Sequence, residues 1–371
     1  MSLVERIWWA PRAAPGAAAL LAPLLLAEGL FRAGAAARGV LYDRGLLAQA
    51  RAGAPVVSIG NVAVGGAGKT PAAIAVAARL AARGRRVAVL SRGYGASRGD
   101  ARIVSDGVRV LLGGDEAGDE PALLARRLPG VAVLCGPRRA ALATMAVATL
   151  GADALVLDDG FQHRALARDL DVVVLDAANP FGNGHLLPRG PNREPRAALS
   201  RAGLVWLSRV DQADASALEA LRSLAREATG RAPVESRHAP VDVVDGTLAR
   251  SLGRGALRGA RVLAVSGLAR PGAFRRTLAD LGAEVVGERV FPDHHRFTER
   301  ELDDALRAAD DARARVVMTE KDAVRLAPAR AADPRLCAVR IEAEVVHGEE
   351  LLARALDAAL ARGAAPSRSA G

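Results

Sequence analysis

At 371 residues the chain is long enough for two domains, each with its own core. With 50% hydrophobic and 25% charged residues it is neither disordered nor fibrous, and 3% aromatics leave the cores to Ala, Leu and Val. The formal net charge of +10 points to acidic partners such as nucleic acid, anionic lipid or a phosphorylated substrate, although arginine spread along the whole chain also serves as solvated surface. Cys135 and Cys337 lie far apart and outside any CxxC, which excludes a disulfide framework and a zinc site and suits a reducing compartment.

Between Arg12 and Arg32 lies the stretch Ala13 to Phe31, whose only charge is Glu28, with Trp8 and Trp9 just ahead of it. Its length is near the minimum for a spanning helix, but Pro15, Gly16, Pro23 and Glu28 count against a span. A secretory signal would strand a nucleotide loop outside the cell. The preferred reading is a helix in the membrane interface with the tryptophans at headgroup level, ahead of a buried packing arm, a span or a signal.

From Pro55 short apolar runs alternate with Ala/Leu/Arg helices, the pattern of a mostly parallel sheet wrapped by helices. Strands are expected at 55–60, 86–91, 131–135, 154–157, 171–176 and 204–208, with helices at 70–83, 137–150 and 216–229. Residues 177–203 read as a long functional loop. A second α/β set follows, with strands at 261–266, 284–290, 315–319 and 336–341 and helices from about 272 and near 298–312. The expected organisation is an N-terminal membrane-interface region 1–50, a larger α/β domain 51–230, a linker 231–260, a smaller α/β domain 261–362 and a disordered tail 363–371.

Ala63-Val64-Gly65-Gly66-Ala67-Gly68-Lys69-Thr70 stands between the first strand and the first helix of this set. Such a loop turns backbone N–H groups inward at a helix N-terminus, where they cradle phosphate. Lys69 would reach the β- and γ-phosphates, and Thr70 would hold Mg²⁺. Of the 51 Lys+Arg residues only Lys69 and Lys321 are lysine, and a compact ammonium is the one cation a phosphate cradle cannot exchange for arginine. Ala63 departs mildly from the strict glycine pattern.

The strand at 154–157 ends in Asp158 and Asp159, carboxylates placed to anchor Mg²⁺, although strands often end in Asp for turn reasons alone. Gln162 and His163 follow and would face the same crevice. Arg92, between glycines, suits a loop near phosphate or substrate. Arg189, Arg193 and Arg196 read as a basic cluster for a substrate phosphate, with Glu194 holding an arginine or a sugar hydroxyl; the bland reading is a solvated loop. Lys321, in Thr319-Glu-Lys-Asp322, suggests a tight pocket.

Ser58-Ile-Gly-Asn61-Val-Ala-Val-Gly-Gly-Ala-Gly-Lys-Thr-Pro71, Ser91-Arg-Gly-Tyr-Gly95, Gly118-Asp-Glu-Pro121, Leu157-Asp-Asp-Gly-Phe-Gln-His163, Arg189-Gly-Pro-Asn-Arg-Glu-Pro195, Phe291-Pro-Asp-His-His295 and Thr319-Glu-Lys-Asp322 occur in that order. Together they resemble the tetraacyldisaccharide 4'-kinase (lipid A 4'-kinase) family over roughly residues 10 to 345. Ala63 stands where the family often has Thr, and Asn192 where it often has Leu. The resemblance implies a P-loop fold and transfer of the ATP γ-phosphate, with Mg²⁺, to the 4'-hydroxyl of an acylated disaccharide 1-phosphate at the cytoplasmic face of the inner membrane. It also implies Asp119 as the base and His294 as its partner. Without it, an Asp in a glycine turn or a lone histidine is ordinarily structural, and His295 competes with His294. Asn61, Arg92, Gln162, His163, Arg193 and Glu194 are then the substrate-side candidates.

Three rival readings exist, of which a phosphoesterase with Asp293, His294 and His295 as metal ligands lacks the other carboxylate clusters such a site needs. A regulatory P-loop switch needs a base-reading Asn-Lys-x-Asp element, which Thr319–Asp322 matches poorly. A nucleic-acid binder would need aromatic stacking motifs or a basic helix, neither of which is present, so no nucleic-acid partner is expected. No obligate protein partner is inferred.

Overall fold

Runs of Val, Leu and Ala bounded by Gly, Asp and Arg form the sheet, as β-branched and aliphatic residues suit a surface covered on both faces. The structure, a computed structural model, describes residues 7–9, 23–93, 101–268, 271–293 and 295–364. Among these the strands are β1 Val56–Gly60, β2 Val87–Ser91, β3 Arg102–Asp106, β4 Ala132–Cys135, β5 Ala154–Asp158, β6 Leu170–Asp176, β7 Leu204–Ser208, β8 Val234–Asp245, β9 Arg261–Ser266, β10 Glu284–Val290, β11 Arg315–Thr319 and β12 Leu336–His347. The longer helices are α1 Leu24–Asp43, α2 Lys69–Ala82, α3 Asp119–Arg127, α4 Arg139–Leu150, α5 Ala215–Thr229, α6 Pro271–Asp280, α7 Glu299–Asp311 and α8 Glu349–Ala364.

The strands form one sheet in the order β10-β9-β11-β12-β8-β7-β6-β1-β5-β2-β4-β3. Pairing is parallel except at β3–β4 and β8–β12. The carboxyl ends of β1, β2, β5, β6 and β7 therefore lie along one edge, the place where open α/β sheets bind ligands.

The sheet is continuous where a linker was expected. Residues 231–260 carry β8, which pairs with β7 on one side and along nearly its whole length with β12 on the other. Pro240 hides this strand from a sequence reading because proline cannot join a regular ladder; here it sits beside a bulge, opposite Ile341. The C-terminal helix α8 also crosses the expected boundary. Its Leu352, Ala355, Leu356 and Ala359 are buried in the same cluster as Val57, Ala73, Ala77 and Leu80. Arg79 and Arg83 of α2 pair with Glu349 and Asp357 of α8. Emptying the Leu80 position to Ala would cost about 2–5 kcal/mol, since its side chain is fully buried.

Helix α1 covers the second part of the predicted interfacial stretch and continues past it; residues 13–22 lie outside the described residues, as does the tail beyond 364. Glu28 is not on a lipid face but buried, accepting from Leu186 N at 3.1 Å, Arg32 at 3.1 Å and Arg189 Nη1 at 3.3 Å. Burial alone would raise its carboxyl; the Leu186 N–H and the two arginines outweigh it and hold the group below its ordinary value. Trp8 Nε1 donates to Pro188 O at 3.1 Å, and Trp9 O accepts from Asn179 at 3.1 Å. Both rest on the 179–191 loop, half-buried, with the Trp8 indole N–H and the Trp9 carbonyl each paired.

Candidate active site

The phosphate loop leaves β1 at Gly60 and enters α2 at Lys69. Gly65 and Gly68 hold φ of 94° and 87°, left-handed values that an L side chain rarely adopts. Helix α2 begins without a side-chain cap and without an acidic residue in its first turn, so its first N–H groups remain available to an anion. Val64 N donates to Pro191 O at 2.8 Å and Ala63 N to Asn61 Oδ1 at 3.2 Å, which pins the start of the loop. Ala63 is fully buried and bridges to Asn192, which is where the two departures from the family pattern meet. Thr70 lies half-buried in the first turn of α2.

Lys69 Nζ donates to Gly65 O at 3.1 Å and lies 3.6 Å from Asp159 Oδ1. Asp159 follows β5 with a left-handed φ of 51°, a conformation Asp tolerates, and its Oδ2 accepts from Arg193 Nη1 at 2.7 Å. Its Oδ1 is buried with no hydrogen-bond partner. Burial would raise Asp159, but Lys69 and Arg193 outweigh it and hold the carboxyl low. Asp158 behaves oppositely. Burial, then the charges of Glu120 and Asp159, push it up to about 7 against Lys69 and Arg139. Ser91 Oγ donates to its Oδ2 at 3.3 Å. Two adjacent carboxylates are thus driven apart by their surroundings.

The 189–196 loop reaches this crevice, though not as the arginine cluster expected. Arg189 turns away to Glu28, and Arg196 stacks on Phe181 with its guanidinium 4.4 Å from the ring centre. Only Arg193 enters the crevice, where it bonds Asp159 and reaches Gln162 Oε1 at 3.3 Å. Like charges so close together repel, and each arginine finds its own carboxylate or aromatic partner instead. Gln162 Nε2 donates to Asn61 O at 2.9 Å and Glu194 Oε1 at 3.0 Å, while Arg201 holds Glu194 Oε2 at 2.7 Å. Asn61, Gln162, Arg193 and Glu194 are therefore one hydrogen-bonded group. His163 stands beside it; burial first, then Arg139 and Arg168, bring its imidazole down to about 4, so it is neutral near pH 7. Arg92 is exposed past the end of β2, and its charge also acts on His163 and Arg139.

Asp119 opens α3, and its Oδ2 accepts from Arg325 Nε at 2.8 Å. Arg325 is itself buried and bonds Asp322 Oδ1 at 3.1 Å and His295 O at 3.3 Å. His294 lies outside the described residues. Its competitor His295 is fixed elsewhere, bonding Glu301 at 3.0 Å and stacking on Phe291 at 4.7 Å. Lys321 pairs with Asp293 at 3.1 Å, which places it under the Phe291–His295 segment and not at the phosphate loop.

The family model described as tetraacyldisaccharide-1-P 4'-kinase matches residues 17–361. The chain belongs to that family. A curated tetraacyldisaccharide 4'-kinase from Anaeromyxobacter sp. (strain Fw109-5) is 88% identical over 100% of both chains. Another, from Syntrophus aciditrophicus (strain SB), is 41% identical over 85% of this chain and 87% of that one. The solved structure of LpxK from Aquifex aeolicus in complex with ATP superposes with a TM-score of 0.76 at 29% identity, covering 92% of this chain and 99% of that one. This member of the 4'-kinase family is accordingly an ATP-dependent lipid-sugar kinase of the lipid A route, and the switch reading is not favoured.

Three residues of this 4'-kinase escaped the sequence reading. Glu120, masked by the neighbouring Asp119, lies close enough to act on Asp158 and brings the α3 N-terminus to the crevice. Arg139 is buried beneath the carboxylates, reaching Asp158 O at 3.4 Å, and burial lowers it to about 10. Arg325 stands three residues past the Thr319–Asp322 motif and outside it; only the fold brings it to Asp119.

Proposed function

We propose that residues 63–70 hold the ATP phosphates, that Asp119 accepts the proton of the 4'-hydroxyl of a tetraacyldisaccharide 1-phosphate, and that the product is the 1,4'-bisphosphate. The observation that carries this reading is Asp159, joined to Lys69 of the phosphate loop on one side and to Arg193 of the substrate-side group on the other. Mg²⁺ fits the donor set, since Thr70, Asp158 and Asp159 offer hard oxygen ligands and Asp159 Oδ1 is buried without a hydrogen bond. When bound, that ion neutralises charge on the β- and γ-phosphates.

In this mechanism the sugar oxygen bonds to Pγ as the Pγ–O bond to the β-phosphate breaks and ADP leaves. Asp119 takes the hydroxyl proton, because an alcohol is too weak an acid to lose it unaided. Arg325 orients Asp119, and His294 partners it. Lys69 meets the charge that develops on the transferred group. Asn61, Gln162, His163, Arg193 and Glu194 line the acceptor side, and Arg92 offers a cation to the lipid's existing phosphate.

The lipid reaches the site along α1. Among the described residues no helix is long and apolar enough to cross a membrane. Leu25, Leu26 and Leu30 are 51%, 76% and 69% exposed, an apolar face that suits the membrane interface. At the other end of α1, Arg38 Nη1 donates to Gln162 O at 3.0 Å, so this helix ends beside the crevice. Use of ATP as donor supports the cytoplasmic face of the inner membrane as the place of the reaction. The test is purified protein with ATP, Mg²⁺ and a monophosphorylated lipid A precursor, read by mass. The expected result is one added phosphate at the 4'-position; phosphate at another position, or ATP hydrolysis indifferent to lipid, would overturn the reading.

A further inference from the structure

A loop that turns its N–H groups inward around an anion turns carbonyls outward, and each of those needs a donor of its own. At Gly66 and Ala67 the donors come from the two residues at the end of β7. Ser208 Oγ donates to Ala67 O at 2.7 Å, and Arg209 Nη2 donates to Gly66 O at 2.8 Å. Ser208 is fully buried, so its hydroxyl is committed to this task, with Leu175 O as a more distant acceptor at 3.3 Å.

Arg209 is built to be held in place. Its φ of 55° is left-handed, an unusual state for arginine, and its Nη1 bonds Asp176 Oδ2 at the end of β6 at 2.7 Å. Its Nε donates to His238 Nδ1 on β8 at 3.3 Å. Because Nδ1 accepts, the ring proton sits on Nε2. Enclosure, then the Arg209 charge, bring this imidazole down to about 3, so it is neutral. His238 Nε2 lies 2.8 Å from where a Cβ on Gly68 would stand, which leaves no room for a side chain at that turn. Four residues from β6, β7 and β8 thus brace the loop from behind, at Gly66, Ala67 and Gly68. Nothing in the motif at 63–70 announces them.

We propose that Ser208 and Arg209, backed by Asp176 and His238, are positioning residues that keep the phosphate loop in its anion-binding shape. They set the affinity for the nucleoside triphosphate and leave the lipid side untouched. This rests on residues 63–70 being the triphosphate cradle.

The experiment compares Arg209→Gly, Arg209→Lys and Ser208→Ala with wild type and with Lys69→Ala. It measures KM for ATP, KM for lipid and kcat, together with ATP binding by calorimetry without lipid. Glycine removes the guanidinium while accepting the positive φ, so backbone strain does not confound the result. Arg209→Gly is expected to raise the ATP KM and Kd by roughly 10–100-fold, the range for losing hydrogen bonds from a charged donor. Lipid KM stays unchanged and kcat at saturating ATP falls less than about threefold. Ser208→Ala raises the ATP KM by roughly 3–10-fold. Arg209→Lys recovers part of the loss, since one ammonium reaches Gly66 O or Asp176 but cannot serve both and His238. Should Arg209→Gly fail to fold, the same KM split in Arg209→Lys and Ser208→Ala decides. Unchanged ATP KM in these variants, or an equal rise in both KM values, overturns the proposal. Normal turnover and ATP binding in Lys69→Ala would instead overturn the cradle assignment beneath it.

Discussion

At the carboxyl ends of β1 and β5, Asp158 is pushed up to about 7, Asp159 keeps a buried oxygen without a hydrogen bond, and buried Arg139 is lowered to about 10. In the β9–β12 half, charges are just as buried but matched. Arg127 Nη1 and Arg340 Nε hold the two oxygens of Glu320 at 2.7 and 2.8 Å, and Arg325 divides itself between Asp322 and Asp119. In the first half, groups shifted from their ordinary values share their partners, so an added charge can still act on them. Charge fully paired in the other fixes the geometry of what it touches. Asp119 is where the two meet.

The sharpest break of that contrast is Lys69→Ala, which should lower kcat by about 10³-fold or more while the thermal midpoint stays near wild type. Steady-state kinetics beside calorimetric melting check both, and an unfolded variant would make Lys69 a structural residue. Asp119→Asn should cost roughly 10²–10⁴-fold in rate if Asp119 is the base. Loss of less than tenfold would demote it to a partner of Arg325. Arg325→Ala should do the reverse, costing about 3–5 kcal/mol of stability because it removes a buried cation shared by Asp322 and Asp119; denaturant unfolding measures it. A smaller effect is expected at α1. Leu26→Glu with Leu30→Glu should weaken binding to anionic vesicles about tenfold or more while ATP binding persists, since two exposed leucines leave the apolar face.

The smallest effect is a pH dependence. His163 has a folded-state pKa near 4 against an ordinary 6.5, so the unfolded chain binds the proton first. Its contribution to stability is therefore complete above pH 6.5 and is lost as the pH falls towards 4. His163→Asn should flatten the decline in melting temperature between pH 7 and 5; an unchanged slope would assign the acid sensitivity to other groups.

The phosphate loop, the paired aspartates and most strands were legible in the sequence because each is a local device. A glycine turn between strand and helix works wherever it stands, and a four- to seven-residue aliphatic run declares a buried strand. Strand β8 was not legible, since a proline and alternating charges disguise a ladder whose partner lies about a hundred residues away. The basic cluster misled for a similar reason. Arg189, Arg193 and Arg196 are close in sequence, yet Glu28, Asp159 and Phe181, all distant in sequence, decide where each one goes.

Sequence by itself determined the chemistry available here: a glycine-rich turn between strand and helix, its one amine, two adjacent carboxylates at a strand end and an apolar N-terminal stretch. Tertiary structure alone decided which charges are shifted from their ordinary values, which arginine enters the crevice, and which donors from β7 brace the loop. The physical reason is range. Backbone turns and helix starts follow from a few neighbouring residues, whereas desolvation and ion pairing depend on groups that only the folded sheet brings within a few ångströms.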